Sequence, residues 1–235
     1  TGLSAHGNRA RYRHVFEDTI SINPFASRWK TGIYSALMMR VKELAHQDAQ
    51  SRADMAAAVQ EIFEKMIFSA VREYVPKGAR LVLSGGCFAN VLAVRKLLDW
   101  ASEIWVAPAM TDAGLAAGAA LAVDPDSKPY AVEDVYLGYD VGNVSNDPRA
   151  VAKLIEAGCT VGLCHGKACY GPRALGNRSL LADPRRSHMP EKINTACDRD
   201  SCMPLCPTIL AEYADDVLET DWRRAAHAAE FMTVC

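Results

Sequence analysis

Residues 80–122 of the chain read RLVLSGGCFANVLAVRKLLDWASEIWVAPAMTDAGLAAGAALA, a pattern that changes period several times. Two short apolar runs, 80–83 and 103–106, have the length and composition of buried strands, and each ends in a turn. The first turn carries paired glycines and leads into a helical pattern over 87–100. The second carries an aspartate and leads into an alanine- and glycine-rich helix over 113–122. This alternation predicts an α/β layer with its loops at the carboxyl ends of the strands.

Two amphipathic helices are expected before this layer. Apolar residues recur at three- and four-residue spacing over 27–46 and again over 52–74, which is the period of a helix with one buried face. A proline and a glycine directly after the second run predict where that helix ends. The apolar face of the second helix is expected to contain Met55, Val59, Ile62, Met66 and Val71.

A second α/β unit is expected after a linker. Prolines, aspartates and asparagines break any long element over 123–149. A helix over 148–156 and a strand over 160–164 follow, and the chain is then expected to form a polar loop up to about residue 187. The helical patterns that close the chain lie near 190–197 and 208–219.

The composition is that of a globular protein, and it excludes several classes of function. Half of the 235 residues are hydrophobic, 23% are charged, and the net charge is −2 at pH 7. Such a balance offers no basic surface for a polyanion, so no nucleic-acid partner is expected. No apolar run reaches the roughly 18 residues of a membrane span, so no membrane association is expected. The pattern of the chain does not indicate an oligomeric state.

The first residues, TGLSAHG, contain neither an initiator methionine nor a signal-peptide pattern. The missing signal predicts a cytoplasmic protein. The chain also opens on turn residues and stops inside an apolar run, which predicts a piece of a longer protein.

The turns after the two strands carry the first candidate site residues. Gly85 and Gly86 let backbone N–H groups approach a phosphate at the start of a helix, although any tight turn also favours glycine. Asn90 is placed either to reach a ribose or phosphate oxygen or to cap the helix. Asp112 is placed either to cap the next helix or to supply a hard oxygen ligand to a metal ion.

The densest group of polar residues lies in 166–179, which reads GKACYGPRALGNRS. Lys167, Arg173 and Arg178 are joined there by an amide and a hydroxyl, between three glycines and a proline. Arginine binds a small dianion in a bidentate way and lysine binds it as a point charge. The stretch therefore predicts an anion site rather than a solvated surface loop, and the sequence DPRR follows at 183–186.

The eight cysteines form no C-x-x-C pair. In a chain without a secretory signal, they are expected to be buried, reduced thiols that act as small hydrophobic residues. The alternative is a metal site or cluster on Cys197, Cys202 and Cys206, whose spacing fits neither a zinc ribbon nor a ferredoxin.

Taken together, these motifs resemble those of the O-carbamoyltransferases, which carbamoylate nodulation factors and antibiotics. Residues 166–185 are similar to the family signature G-[KR]-x-E-x-G-P-R-A-L-G-N-R-S-[IL]-L-A-D-P-R. Residues 1–7 are similar to M-G-L-A-P-Y-G, residues 83–90 to L-x-G-G-x-x-x-N, and residues 106–120 to P-x-x-x-D-A-G-x-x-x-G-A-A. Tyr-Leu-Gly at 136–138 also has a counterpart in the family.

The resemblance implies an α/β protein of two modules. Residues 1–124 would be the C-terminal part of an actin/Hsp70/sugar-kinase-type ATPase fold, related to the enzyme that places threonylcarbamoyl on tRNA. Residues 125–145 would be a linker, and 146–235 a truncated, smaller α/β module that binds carbamoyl phosphate. Carbamoyl phosphate and ATP would give a carbamoyl adenylate, and its carbamoyl group would pass to a hydroxyl of a small molecule or sugar. A divalent metal, iron in the family, is the second implied cofactor beside ATP.

The resemblance also implies roles for individual residues. Lys167, Arg173 and Arg178 would be catalytic, and Asp112 would be a metal ligand. The implied nucleotide contacts are Gly85, Gly86 and Asn90. The implied substrate-binding residues are Asn177, Ser179, Arg185 and Arg199.

The sequence departs from the family pattern at several points. The H-x-x-x-H pair that supplies two metal ligands belongs to an N-terminal stretch absent here, so this chain alone is expected to be inactive. Cys169 stands where the family has glutamate, and Met203 stands where it has arginine. These changes leave open a diverged homologue that keeps only an anion or nucleotide site. A sugar-kinase-like phosphotransferase fits the first module alone, but the 166–185 stretch argues against it.

Overall fold

The computed structural model describes residues 2–17, 33–123, 135–142, 147–219 and 221–235. The helices within these ranges are α1 His14–Glu17, α2 Ile33–Ala45, α3 Ala49–Tyr74, α4 Val91–Leu97, α5 Gly114–Val123, α6 Pro148–Glu156, α7 Met189–Ala196, α8 Ala214–Val217 and α9 Ala226–Glu230. The strands are β1 Arg80–Leu83, β2 Glu103–Val106, β3 Val161–Cys164 and β4 Arg178–Leu181. The chain divides into two compact units, one of Thr1–Leu81, Asn90–Ile104 and Val234–Cys235, the other of Val82–Ala89 and Trp105–Thr233.

The core of the first unit lies between α2, α3 and the N-terminal residues. The α3 helix begins after Asp48, whose side chain accepts a hydrogen bond from the Ser51 N–H at 2.6 Å, and such a cap stabilises the first turn. The predicted face of α3 is confirmed at Met55 and Ile62 but wrong at Val59, which is 45% exposed. The buried residues of this core are Tyr12, Val15, Phe16, Leu37, Leu44, Met55, Ala58 and Ile62.

The predicted bounds of β1 and β2 are confirmed, and the two strands form a two-stranded sheet. The Ser102 N–H donates to the Ala79 carbonyl before the strands, and the Ala107 N–H donates to the Leu83 carbonyl after them. Because these partners advance in the same direction along both segments, the strands run parallel. The helix expected over 87–100 is shorter, since a 3₁₀ turn ends at Ala89 and α4 spans Val91–Leu97.

In the second unit, α6 has the predicted bounds and contacts β3. The polar loop predicted to run to about residue 187 is interrupted by β4, which pairs antiparallel with β3 from Val161 opposite Leu181 to Cys164 opposite Arg178. A four-residue strand that opens on arginine has no clear alternation, so its pairing with β3 defines it. The helical pattern over 208–219 yields only a 3₁₀ turn and the short α8.

The described residues therefore form a mixed α/β structure with two small sheets. None of the described helices is both long enough and apolar enough to cross a bilayer.

The expectation that the cysteines are buried is wrong. All eight are free thiols, Cys169 and Cys202 are half-buried, and the other six are exposed. Their positions explain this, because Cys164 lies on the exposed side of β3 and Cys197 lies at the end of α7.

Candidate functional site

The segment 166–179, called the anion loop below, is fixed by a neighbouring stretch of backbone. Residues 135–142 run alongside its first part, and Val135 is 1% exposed. The Gly138 N–H donates to the Ala168 carbonyl at 2.9 Å, and the Gly166 N–H donates to the Gly142 carbonyl at 2.9 Å. The anion loop therefore has a backbone frame of its own rather than the freedom of a solvated surface loop.

Arg178 is the main side-chain fastening of this frame. Its Nη1 donates to the carbonyls of His165 and Asn177, both at 2.7 Å. Its Nη2 donates to the carbonyls of Gly166 at 3.1 Å and Tyr139 at 3.3 Å. One guanidinium thus joins both arms of the anion loop to the neighbouring segment, which a planar fork of donors suits.

Arg173 occupies a different position. Its Nη2 donates to the Ala89 carbonyl at 3.0 Å, which brings the anion loop to the end of the turn that follows β1. Its Nε is buried and has no hydrogen-bond partner within the described residues. The same guanidinium lies near Cys206, an exposed residue whose thiol is partly desolvated. This desolvation raises the pKa of the thiol, and the positive charge of Arg173 opposes the shift.

The anion loop also contacts the turn that follows β2. The Tyr170 hydroxyl donates to the Ala113 carbonyl at 3.1 Å, and the Gly171 backbone lies close to the Pro108 carbonyl. The three contacts at Arg173, Tyr170 and Gly171 place the anion loop against the turns at the ends of both β1 and β2. The sequence pattern does not single out Tyr170. The signature that surrounds it indicated this region but not this residue.

We expect Gly171→Ala to disturb the anion loop more than Gly176→Ala. Both glycines have positive φ, +114° and +110°, which a side chain rarely adopts. A Cβ at Gly171 would lie 2.7 Å from the Pro108 carbonyl oxygen, whereas one at Gly176 would meet nothing within 4 Å. Thermal unfolding of the two variants measures the difference, and equal losses would contradict the close packing at Gly171.

The other predicted residues of the anion loop differ in whether their side chains form hydrogen bonds. Lys167 is exposed. The Asn177 side chain donates to the Lys167 carbonyl at 2.8 Å, and the Ser179 hydroxyl accepts the Gly176 N–H at 3.2 Å. Asn177 and Ser179 therefore shape the loop in this structure, and their predicted contact with substrate stays a prediction.

Arg185 forms an ion pair immediately after β4. Its Nε and Nη2 donate to the two carboxylate oxygens of Asp183, at 2.8 and 2.9 Å, and its backbone N–H donates to the same residue at 3.0 Å. Asp183 is buried, and Arg186 approaches it at 3.6 Å. The side-chain and backbone hydrogen bonds from Arg185 lower the pKa of Asp183 to about 2.

This shift predicts an acid-sensitive contribution of Asp183 to stability. Because the folded pKa lies below the value of about 3.9 in unfolded chains, the contribution is present above about pH 4 and is lost as the pH falls towards 2. The urea midpoint of the parent protein should exceed that of Asp183→Asn at pH 5, and the two should converge near pH 2. A constant difference over this range would contradict the assignment.

Arg199 lies in the segment that follows α7, outside the anion loop. Its side chain is exposed, and its N–H donates to the Asn194 carbonyl at 2.8 Å. The buried Asn194 side chain also donates to the Met203 carbonyl at 2.9 Å, so α7 holds residues 199–203 in place. Among the described residues, no hydrogen bond or ion pair joins the Arg199 side chain to the anion loop.

The residues predicted to contact a nucleotide all lie in a turn or a helix cap of the fold. Gly85 has φ +110°, and its N–H donates to the Met110 carbonyl at 2.8 Å. Gly86 opens the 3₁₀ turn that follows and is exposed. Asn90 caps α4, since its Oδ1 accepts the Ala93 N–H at 3.2 Å. The capping role of Asn90 is therefore observed, and its nucleotide contact stays a prediction.

Asp112 lies just before α5 and is exposed. Its backbone carbonyl accepts the Leu115 N–H at 3.0 Å. The described residues contain no group of three histidine, cysteine, aspartate or glutamate side chains that could hold a metal ion. Cys197, Cys202 and Cys206, all within the described ranges, thus form no such group, and Asp112 is at most one ligand of a site completed elsewhere.

Two domain families match the chain in the order in which its motifs occur. Residues 5–121 match Carbamoyltransferase N-terminus, and residues 152–235 match Carbamoyltransferase C-terminus. The chain belongs to the carbamoyltransferase family. The second match contains the anion loop, and the first contains the turns after β1 and β2.

The chain is also similar to individual proteins whose names fit this family. Over 93% of this chain, nodulation protein NolO of Bradyrhizobium diazoefficiens is 32% identical and nodulation protein NolNO of Sinorhizobium fredii is 29% identical. The 3'-hydroxymethylcephem-O-carbamoyltransferase of Streptomyces clavuligerus is 31% identical over 71% of the chain. The matched regions cover 46%, 37% and 35% of these relatives. The present chain therefore spans less than half the length of each.

Proposed function

We propose that this chain supplies the carbamoyl phosphate site of an ATP-dependent O-carbamoyltransferase. The observation that carries the proposal is the anion loop, whose backbone is fastened by Arg178 and which holds the Arg173 guanidinium with its Nε unpartnered among the described residues. The Streptomyces relative is an O-carbamoyltransferase by name, which supports carbamoyl transfer to an oxygen acceptor.

The residues of the anion loop suit the phosphoryl group of carbamoyl phosphate. Arg173 retains N–H donors beyond the one bonded to Ala89, and exposed Lys167 adds a mobile positive charge. Together they would neutralise the dianion and stabilise the charge that develops as the carbamoyl group is activated. In the proposed sequence, water cleaves carbamoyl phosphate to carbamate and inorganic phosphate. A carbamate oxygen then attacks the α-phosphorus of ATP, pyrophosphate leaves, and carbamoyl adenylate forms. The acceptor hydroxyl then attacks the carbamoyl carbon, releases AMP and loses its proton.

The same proposal includes an actin/Hsp70/sugar-kinase-type ATPase fold for residues 1–124 and the boundaries 125–145 and 146–235 for the linker and second module. The family's metal does not fit the described residues as a complete site, because Asp112 is one exposed carboxylate without companion ligands among them. A metal there, iron in this proposal, would need ligands from outside the described residues, and no step is assigned to it.

A second candidate is a diverged homologue that binds an anion without transferring a carbamoyl group. It is favoured by Cys169, which stands at the glutamate position of the family signature and accepts the Leu175 N–H at 3.4 Å. In this arrangement a thiol supports the anion loop at the position where the family signature has a carboxylate.

Calorimetric titration of the chain with carbamoyl phosphate tests both candidates, with inorganic phosphate as the matched control. The proposed function predicts tighter binding of carbamoyl phosphate than of phosphate. Equal binding of both ligands favours a general anion site, and absence of binding by the folded chain would contradict both candidates.

A further inference from the structure

A chain of polar side chains connects α3 to the cap of α4 within the first unit. Gln60 and Glu64 are each 5% exposed. The Gln60 Nε2 donates to Glu64 Oε1 and to Asn90 Oδ1, both at 3.0 Å, and Asn90 Nδ2 donates to Gln60 Oε1 at 2.9 Å. At the far end, Arg9 Nη1 lies 3.3 Å from Glu64 Oε2. These four residues are called the α3 relay below.

The charge of Glu64 determines how the two amides are oriented. A carboxylate paired with arginine has no hydrogen to donate, so Gln60 must turn its NH₂ group towards Glu64. The Gln60 carbonyl oxygen then faces Asn90, which turns its own NH₂ group towards it. This orientation also leaves Asn90 Oδ1 in place to accept the Ala93 N–H that caps α4, so the relay and the cap require the same amide orientation.

Within the described residues, the hydrogen bonds of the α3 relay leave the Asn90 side chain with one free donor hydrogen and no free acceptor position. Its Oδ1 already accepts two hydrogen bonds, from Gln60 and Ala93, which fills both lone-pair positions. One of the two Nδ2 hydrogens is bonded to Gln60, and the other has no acceptor among the described residues. Asn90 is half-buried, so part of the residue is open to solvent.

We propose that Gln60 and Glu64 are positioning residues that present Asn90 as a hydrogen-bond donor to an oxygen of a bound nucleotide. This inference rests on the proposed function, because it takes nucleotide as the ligand of Asn90. Arg9 completes the relay through its ion pair with the nearly buried Glu64 carboxylate.

The orientation of Asn90 is tested first without a ligand, by NMR of its side-chain NH₂ group in the parent chain and in Glu64→Gln. The parent should give one sharp pair of signals. In Glu64→Gln the residue at 64 can both donate and accept, so Gln60 and Asn90 can reverse and the Asn90 signals should split or broaden. Glu61→Gln is the matched control, because Glu61 also lies on α3 and pairs with Arg13 and Lys65 outside the relay. Unchanged Asn90 signals in Glu64→Gln would overturn the relay.

The role in binding is tested by a double-mutant cycle with ATP, using Glu64→Gln, Asn90→Ala and the combined variant. Loss of one oriented hydrogen bond should weaken ATP binding about two- to tenfold in Glu64→Gln. It should cause no further loss in the Asn90→Ala background, because Glu64 acts through Asn90. Additive losses would assign Glu64 a purely structural role and overturn the proposal. A parent chain that does not bind ATP would refute the nucleotide function, while the NMR comparison still decides whether the relay orients Asn90.

Discussion

Replacing Arg173 by alanine is expected to weaken carbamoyl phosphate binding by about 1–3 kcal/mol, the range for removing a hydrogen bond to a charged group. That range corresponds to a loss of affinity of roughly 5- to 150-fold. The physical reason is the position of the guanidinium, which is held by the Ala89 carbonyl and keeps a buried Nε without a partner among the described residues. Calorimetric titration of parent and variant with carbamoyl phosphate measures the change.

Two further variants make the Arg173 result specific. Arg173→Lys keeps the charge but loses the planar fork, so it should recover only part of the affinity. Arg149→Ala removes an exposed arginine of α6 that lies outside the anion loop, and its binding should match that of the parent. Unchanged binding in Arg173→Ala would remove Arg173 from the site. A matching fall in the melting temperature would instead indicate that the Ala89 contact mainly stabilises the fold.

The elements that the sequence predicts well are those whose pattern is local. The bounds of β1 and β2 follow from short apolar runs that end in turns, and α6 follows from an Asp-Pro start and a glycine just after its end. The elements that it misses depend on distant partners. β4 is defined by pairing with β3, and residues 135–142 are ordered by backbone hydrogen bonds to the anion loop about 30 residues later. Such pairings leave no periodic signal in the segment itself.

The candidate site shows the same division. Residue types in the anion loop predict an anion site, because glycines, a proline and three cations in thirteen residues suit a small dianion, and that site stays a prediction. They were not sufficient to separate Arg173 from Arg178, which lie five positions apart in the same loop. The difference arises from the carbonyl groups that surround each guanidinium, four around Arg178 and one at Arg173. The contacts of Arg178 give it a fastening role in this structure, and its predicted catalytic role stays a prediction.

Replacing Arg178 by alanine is expected to produce the largest loss of carbamoyl phosphate binding, although Arg178 need not touch the ligand. Four carbonyls would lose their donor at once, and the anion loop would then be held to residues 135–142 by its remaining hydrogen bonds, most of them between backbone groups. At about 1 kcal/mol for each hydrogen bond, the loop would lose about 4 kcal/mol of its local stability. Arg178→Lys should recover only part of this, because an ammonium group has three hydrogens and no planar fork.

Chemical rescue separates the fastening role of Arg178 from direct contact with substrate. Millimolar guanidinium chloride should restore part of the carbamoyl phosphate affinity of Arg178→Ala, since the free cation can enter the space between the four carbonyls. Methylammonium chloride at equal concentration is the matched control and should restore less, because it cannot bond to both arms of the loop. The circular dichroism spectrum should show that the variant is folded before and after addition. Binding by Arg178→Ala that equals the parent's would refute the fastening role, because the loop would then be ordered without it.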